Sequence, residues 1–179
     1  MNAFLRILVL ALVTAVMTCG LTWADEALQY KLGAGDKVRI NVFGHPDLSG
    51  EFEVDGSGSI SLPLIGEVRT GTKTARELER EIVLKLQPDY LKNPRVSVQV
   101  TTYRLFYIIG EVNKPGGYPY VSGMTAISAI ALAEGYTPRA RTGRFFLTRA
   151  SGSANGRIPA DHATPVYPGD IIEVPERYF

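Results

Sequence analysis

One cysteine stands in 179 residues, and it is Cys19. A disulfide framework is therefore excluded, and with it the small secreted scaffolds that depend on one. Histidine is nearly as scarce. His45 precedes Pro46 and His162 follows Asp161, and neither has the spacing of a zinc ligand set. No charge of one sign dominates: 19 Lys and Arg face 18 Asp and Glu. Nucleic-acid binders carry a basic surplus that is missing here. Long apolar runs are confined to the first two dozen residues. Beyond them the longest, around Ala129–Ala133, is far shorter than the roughly 20 residues of a membrane-spanning helix.

Residues 1–24 read as an export signal. Arg6 lies in a short basic region, an apolar core runs from Ile7 to about Met17, and Thr22-Trp23-Ala24 offers a small-x-small cleavage site. Removing this segment takes one Arg and no acid, which leaves 18 basic and 18 acidic residues. Cys19 supports a second outcome, cleavage just before it and acylation of its thiol as in a lipoprotein. Val16-Met17-Thr18-Cys19 fits that poorly, since Met17 and Thr18 stand where small residues are usual.

The chain has an ordinary globular composition, 45% apolar and 21% charged, and beyond residue 24 it alternates strands with two helices. Gly33, Gly35 and Asp36 form a turn before Lys37–Val42, where Val38, Ile40 and Val42 alternate with polar residues. Pro168-Gly169-Asp170 before Ile171–Val174 echoes this device, as shared strand-entry chemistry rather than a repeat. Phe52–Val54 and Ile60–Leu62, on either side of Asp55-Gly56-Ser57-Gly58, predict a β-hairpin. Thr74 and Glu77 have capping-box spacing and open a helix with the stripe Leu78, Ile82, Leu86, stopped by Pro88. Arg95–Thr101 comes next as a strand with Val96, Val98 and Val100 inward.

The second half opens with Phe106–Ile109, an unbroken apolar run suited to a buried strand. Lys114-Pro115-Gly116-Gly117 predicts a type II turn. Met124–Glu134 predicts a helix capped by Thr125, with Ile127, Ile130 and Ala131 on its inner face and Gly135 as its stop. Phe145–Leu147 and Ile171–Val174 supply later strands. The sum is an α+β chain of two small units, each small enough to bury only about 60% of its chain surface alone. They are expected to pack on each other or on copies.

Residues 30–101 resemble the periplasmic export domain of the outer-membrane polysaccharide export (Wza-like) family. The resemblance rests on Leu32-Gly33-x-Gly35-Asp36, on Val54-Asp55 with Gly58-x-Ile60-x-Leu62-Pro63 and Gly66-x-Val68, on Leu78, and on Tyr90-Leu91-Lys92-Asn93-Pro94-x-Val96. Residues 106–135 are similar to the SLBB domain, a β-grasp module, through Gly110-Glu111-Val112-x-x-Pro115-Gly116-x-Tyr118 and the helix ending Ala133-Glu134-Gly135. In order along the chain this gives a signal peptide at 1–24, an export domain at 25–103 and an SLBB domain at 104–179.

The resemblance implies a non-catalytic part of a capsule or exopolysaccharide export machine, needing no cofactor and no metal. Such proteins assemble as homo-oligomeric rings over an inner-membrane co-polymerase, in the periplasm and against the outer membrane, around the exported polysaccharide. Ending at Phe179, the chain is expected to serve as a collar that relies on a separate outer-membrane pore.

Two other readings are open. A monomeric carbohydrate-binding module would use rings such as Tyr118 and Tyr120, with Tyr103, Phe106 and Tyr107 nearby in sequence. The loop arginines Arg139, Arg141, Arg144 and Arg149 are candidates to meet an anionic polymer or a partner. A polysaccharide hydrolase or lyase would need two carboxylates across a cleft. Glu51, Glu53 and Asp55 instead alternate along one strand face, and Asp161-His162 has no nucleophile signature beside it.

Overall fold

The computed structural model describes residues 30–150 and 156–177, and their strands and helices all lie in one compact unit, Lys31–Phe179. The expected export signal and Cys19 lie outside the described residues. The chain is mixed α+β, with two α-helices and three sheets among the described residues.

β1 (Lys37–Val42) buries Val38, Ile40 and Val42 and exposes the residues between them, as its alternation requires. It is the centre of an antiparallel sheet with β2 (Gly50–Glu53) on one side and β5 (Val96–Thr102) on the other. Register places Val38 opposite Phe52 and Val100, and Ile40 opposite Val98. Val98 is buried and Val96 and Val100 are half-buried, on the inward face expected of them.

The hairpin lies elsewhere than expected. β2 pairs with β1, whereas β3 (Ser59–Leu62) pairs with β4 (Gly66–Arg69) around Pro63. Asp55–Gly58 is instead a corner between two sheets. The Asp55 carboxylate accepts the N–H of Ser57 (2.8 Å), the N–H of Ser59 (3.0 Å) and the Ser57 hydroxyl (2.6 Å). Those bonds hold its pKa below the ordinary carboxylate value. An Asp-Gly turn has the same local chemistry whether or not its flanking strands pair, which is why the pattern misled. β4 had no signal beyond Gly66 and Val68.

α1 (Ala75–Leu86) begins at the expected capping box. Thr74 Oγ1 accepts the Glu77 N–H at 3.2 Å, and Glu77 Oε2 accepts the Thr74 N–H at 2.8 Å. Leu78, Ile82 and Leu86 are buried as one stripe, and the helix packs on β5.

The second half is a five-stranded mixed sheet in the order β7, β6, β10, β8, β9. These are β6 (Phe106–Gly110), β7 (Gly116–Tyr118), β8 (Phe145–Thr148), β9 (Arg157–Ala160) and β10 (Ile171–Val174). Only β6 and β10 run parallel within it. β6 is half-buried: Phe106 and Ile108 point inward, while Tyr107 and Ile109 are 48% and 45% exposed. Continuous apolarity here reflects a second apolar face, not burial on both. Gly116 opens β7 opposite Ile108 and has no positive φ, so the expected type II turn is absent.

α2 (Ala126–Leu132) is shorter than predicted and rotated. Ala126, Ala129, Ile130 and Ala133 are buried, an i, i+3, i+4, i+7 stripe, whereas Ile127 and Ala131 face outward. Small alanines let the helix sit close to Phe106, Phe145 and Ile172 in one core. The C-terminus closes as a Schellman motif. The Gly135 N–H reaches the Ile130 carbonyl (3.0 Å) and the Glu134 N–H reaches that of Ala131 (3.1 Å).

The capping box of α1 gives a direct test. Thr74→Ala is expected to cost about 1 kcal/mol in urea denaturation at neutral pH. The Thr74 hydrogen bonds lower the Glu77 pKa below 4.5. Its contribution is thus complete above that value and lost as pH falls through the lower, folded one. Glu77→Gln keeps an acceptor for the Thr74 N–H, and should flatten that acid-side loss.

Candidate functional site

The turns that open β1 and β10 are built alike. In Leu32–Asp36 the Asp36 N–H bonds the Gly33 carbonyl at 3.1 Å, and Asp36 Oδ2 takes the Gly33 N–H at 2.8 Å. In Val166–Asp170 the Asp170 N–H bonds the Tyr167 carbonyl at 3.1 Å, and Asp170 Oδ2 takes the Tyr167 N–H at 2.8 Å. Gly35 and Gly169 have φ of +89° and +83°, which a residue with a Cβ rarely adopts. Both aspartates are buried.

Each carboxylate then reaches out to a distant arginine. Asp36 accepts the Arg104 backbone N–H at 2.8 Å and Arg104 Nη1 at 3.2 Å. Asp170 accepts Arg149 Nη1 at 2.5 Å, with the Ala150 N–H at 3.4 Å. Burial pushes the Asp170 carboxyl up, against the Tyr167 N–H and the Arg149 charge, which pull it down.

Arg104, in the link between β5 and β6, lies between the two turns. A Cβ on Gly33 would stand 2.1 Å from its Nη1, and one on Gly169 would stand 2.6 Å from its Nε. The two glycines thus leave the space that one guanidinium fills. The Gly169 N–H also bonds the Leu105 carbonyl at 3.1 Å. This junction ties the first sheet to the second. Sequence reading missed it because nothing local marks Arg104.

The residues singled out from sequence fall in separate places. Tyr118 is half-buried beside Phe106, with ring centroids 6.1 Å apart, and its hydroxyl donates to the Lys114 carbonyl at 2.5 Å. Tyr120 meets Tyr103 edge to face at 5.2 Å, and burial raises its hydroxyl pKa. Both pack against the second core. Arg139 is paired with Glu176, its Nε at 2.8 Å. Arg149 pairs with Asp170 and stacks over Tyr167, 4.6 Å from the ring centre. These two ion pairs sit at opposite ends of β10, on the order of 20 Å apart along the strand. The four arginines therefore do not converge. Arg141 and Arg144 are exposed, and among the described residues neither carries an ion pair.

The other titratable candidates are held in turns or edges. Asp161 Oδ1 accepts the Thr164 hydroxyl (2.9 Å) and the Ala163 N–H (3.1 Å), while His162 Nε2 lies 2.9 Å from the Tyr136 hydroxyl. Asp161 and His162 thus serve different partners. Glu51 and Glu53 do share the outer face of β2, opposite Arg39 and Lys37, but Asp55 belongs to the corner beyond it. No group of three His, Cys, Asp or Glu among the described residues is placed to hold a metal. No helix among them is long and apolar enough to cross a membrane.

A feature that sequence reading passed over is the outer face of the five-stranded sheet. Tyr107, Ile109 and Ile171 project there, Ile171 37% exposed, with Tyr107 opposite Ile171. Phe146 lies on the same face under Arg157, whose guanidinium sits 3.6 Å from the ring centre.

Two β-rich units, joined at Arg104 and each with its central strand entered through the same Gly-Asp turn, define a two-module α+β protein whose modules match known families in order. Residues 24–101 match the family described as polysaccharide biosynthesis/export protein, and residues 105–158 match the SLBB domain. The chain belongs to the polysaccharide export family. It is 36% identical over 149 residues to the exopolysaccharide production protein ExoF of Rhizobium meliloti, covering 76% of this chain and 35% of that one. It is 28% identical to the EPS I polysaccharide export outer membrane protein EpsA of Ralstonia nicotianae, covering 85% of this chain and 49% of the relative. It is 26% identical to the polysialic acid transport protein KpsD of Escherichia coli, over 61% of this chain and 20% of the relative. The chain thus spans less than half the length of each of these relatives.

Breaking one side of the Asp36–Arg104 pair leaves a buried polar group without its partner. Asp36→Ala is expected to destabilise by about 3 kcal/mol. Adding Arg104→Met should recover part of that loss in a double-mutant cycle. Additive losses in urea denaturation would show that the two side chains act separately.

Proposed function

We propose that this protein is a structural component of a polysaccharide export machine, exported behind the segment 1–24 and acting in the periplasm against the outer membrane. It works as a homo-oligomeric ring through which capsular or extracellular polysaccharide passes without bond making or breaking. An inner-membrane co-polymerase is the partner that delivers the chain. The observation that carries this reading is the ordered pair of family matches, 24–101 and 105–158, which together span most of the sequence. The names of the relatives supply the class of cargo: exopolysaccharide for ExoF, EPS I for EpsA and polysialic acid for KpsD.

Assembly has its own support. Tyr107, Ile109 and Ile171 expose apolar side chains beside Glu173 on one sheet face, a surface that a neighbouring copy would cover in such a ring. A ring that buries this surface would also meet the shortfall of core that small modules face.

Two measurements test the proposal. Deleting the gene is expected to stop secretion of one glycan while its synthesis continues, and normal secretion of every glycan would overturn the export role. Native mass spectrometry of the purified protein is expected to give one large oligomer without ligand, and Ile109→Glu should shift it to monomer with unchanged circular dichroism. A wild-type monomer whose mass shifts only with oligosaccharide would instead mark a carbohydrate-binding module.

A further inference from the structure

The outward face of the first sheet is not flat. Between β1, β2 and β5 lies an open groove of about 500 Å³, lined by Arg39, Asn41, Ser49, Glu51, Ser97 and Gln99. That volume falls within the roughly 300–1,000 Å³ of small-molecule sites. Cross-strand register places these side chains in rows. Arg39 stands opposite Glu51 on one side and Gln99 on the other, and Asn41 stands opposite Ser97.

Part of the groove's hydrogen-bonding capacity is unused. Arg39 and Glu51 approach only to 3.7 Å, as do Lys37 and Glu53 at the end of the sheet, and this is beyond hydrogen-bond length. Glu51 accepts the Thr101 hydroxyl at 2.9 Å, which fixes the carboxylate at the rim. Ser49 is occupied by the Val42 N–H (2.9 Å) and the His45 carbonyl (2.9 Å), so it shapes the wall. Asn41 contributes one long bond through its carbonyl oxygen, 3.3 Å to Ser49 Oγ. Its NH₂ group, the Ser97 hydroxyl and the Gln99 amide are left facing solvent on exposed strand positions.

Such a lining has a definite complement. Two amides, a hydroxyl, a guanidinium and a carboxylate offer donors and acceptors side by side, the pattern that adjacent sugar hydroxyls, each both donor and acceptor, can satisfy. Charge is balanced within the groove, since each base faces an acid. A polyanion would meet Glu51 and Glu53 along with the bases, and the apolar part of the lining, with Ile40 buried beneath the polar rows, suits the C–H faces of sugar rings. We propose that this groove is a glycan contact site, holding a short run of sugar units through their hydroxyls, with Arg39, Asn41, Ser97 and Gln99 as the direct contacts. The site rests on the proposed export role and adds to it where on the chain the cargo is touched.

The probe is the set of short oligosaccharides released by partial acid hydrolysis from the glycan whose secretion is lost on deleting the gene. Titrated into isotope-labelled wild-type protein, it is expected to shift the side-chain amide signals of Asn41 and Gln99 and the Arg39 Nε signal. The double variant Asn41→Ala/Gln99→Ala, with unchanged melting and circular dichroism, should bind about tenfold more weakly. Affinity should stay within about twofold from low to high salt, because hydroxyl recognition is little screened. Shifts elsewhere only, equal binding by the double variant, or a steep fall with salt would each overturn the groove assignment and leave the export role standing. Deletion that spares every secreted glycan would remove both.

Discussion

A buried carboxylate in this protein has few choices. Asp36 sits with no exposed surface, and a charge so placed must be matched by hydrogen bonds or a counter-charge. The Gly33 N–H, the Arg104 N–H and the Arg104 guanidinium supply both. Since Arg104 belongs to the link between the sheets, the first turn cannot form fully until the start of the second half is in place. Gly169 then limits where the second half can stand, because any side chain there would strike the same guanidinium.

The second turn repeats the solution with different partners. Asp170 takes its own turn N–H and the Arg149 guanidinium, so β10 is fixed to the end of β8 as β1 is fixed to the start of β6. With β10 at the centre of the five-stranded sheet and β1 at the centre of the three-stranded one, the two central strands are positioned by one kind of joint. A body tied in this way presents two outward sheet faces of different character. One is polar and grooved, the other carries the exposed apolar side chains of Tyr107, Ile109 and Ile171.

How much of this was legible depended on whether the signal was local. β1 and α1 were readable because period-two and capping-box patterns arise from a few neighbouring residues. The Gly-Asp echo was also visible, and its meaning as strand-entry chemistry is what the hydrogen bonds show. Pairing partners were not legible. Asp55 looked like the centre of a hairpin, yet its carboxylate closes a corner while Pro63 lies at the true hairpin end. The apolar run Phe106–Ile109 hid an alternation, since both faces of β6 are apolar and only one is covered. In α2 the larger Ile127 drew attention from the alanine stripe that is actually packed. Arg104, the Arg139–Glu176 pair and the Arg149–Asp170 pair depend on contacts between distant parts of the chain, which no local window contains.

If the Asp36–Arg104 junction makes the two sheets one cooperative body, amide hydrogen exchange should report it. The slowest amides of β1 and of β10 are expected to share one opening free energy, and Arg104→Met should lower both together. Exchange in which one strand keeps its full protection while the other loses it would contradict the account, because the modules would then be independent bodies on a passive link.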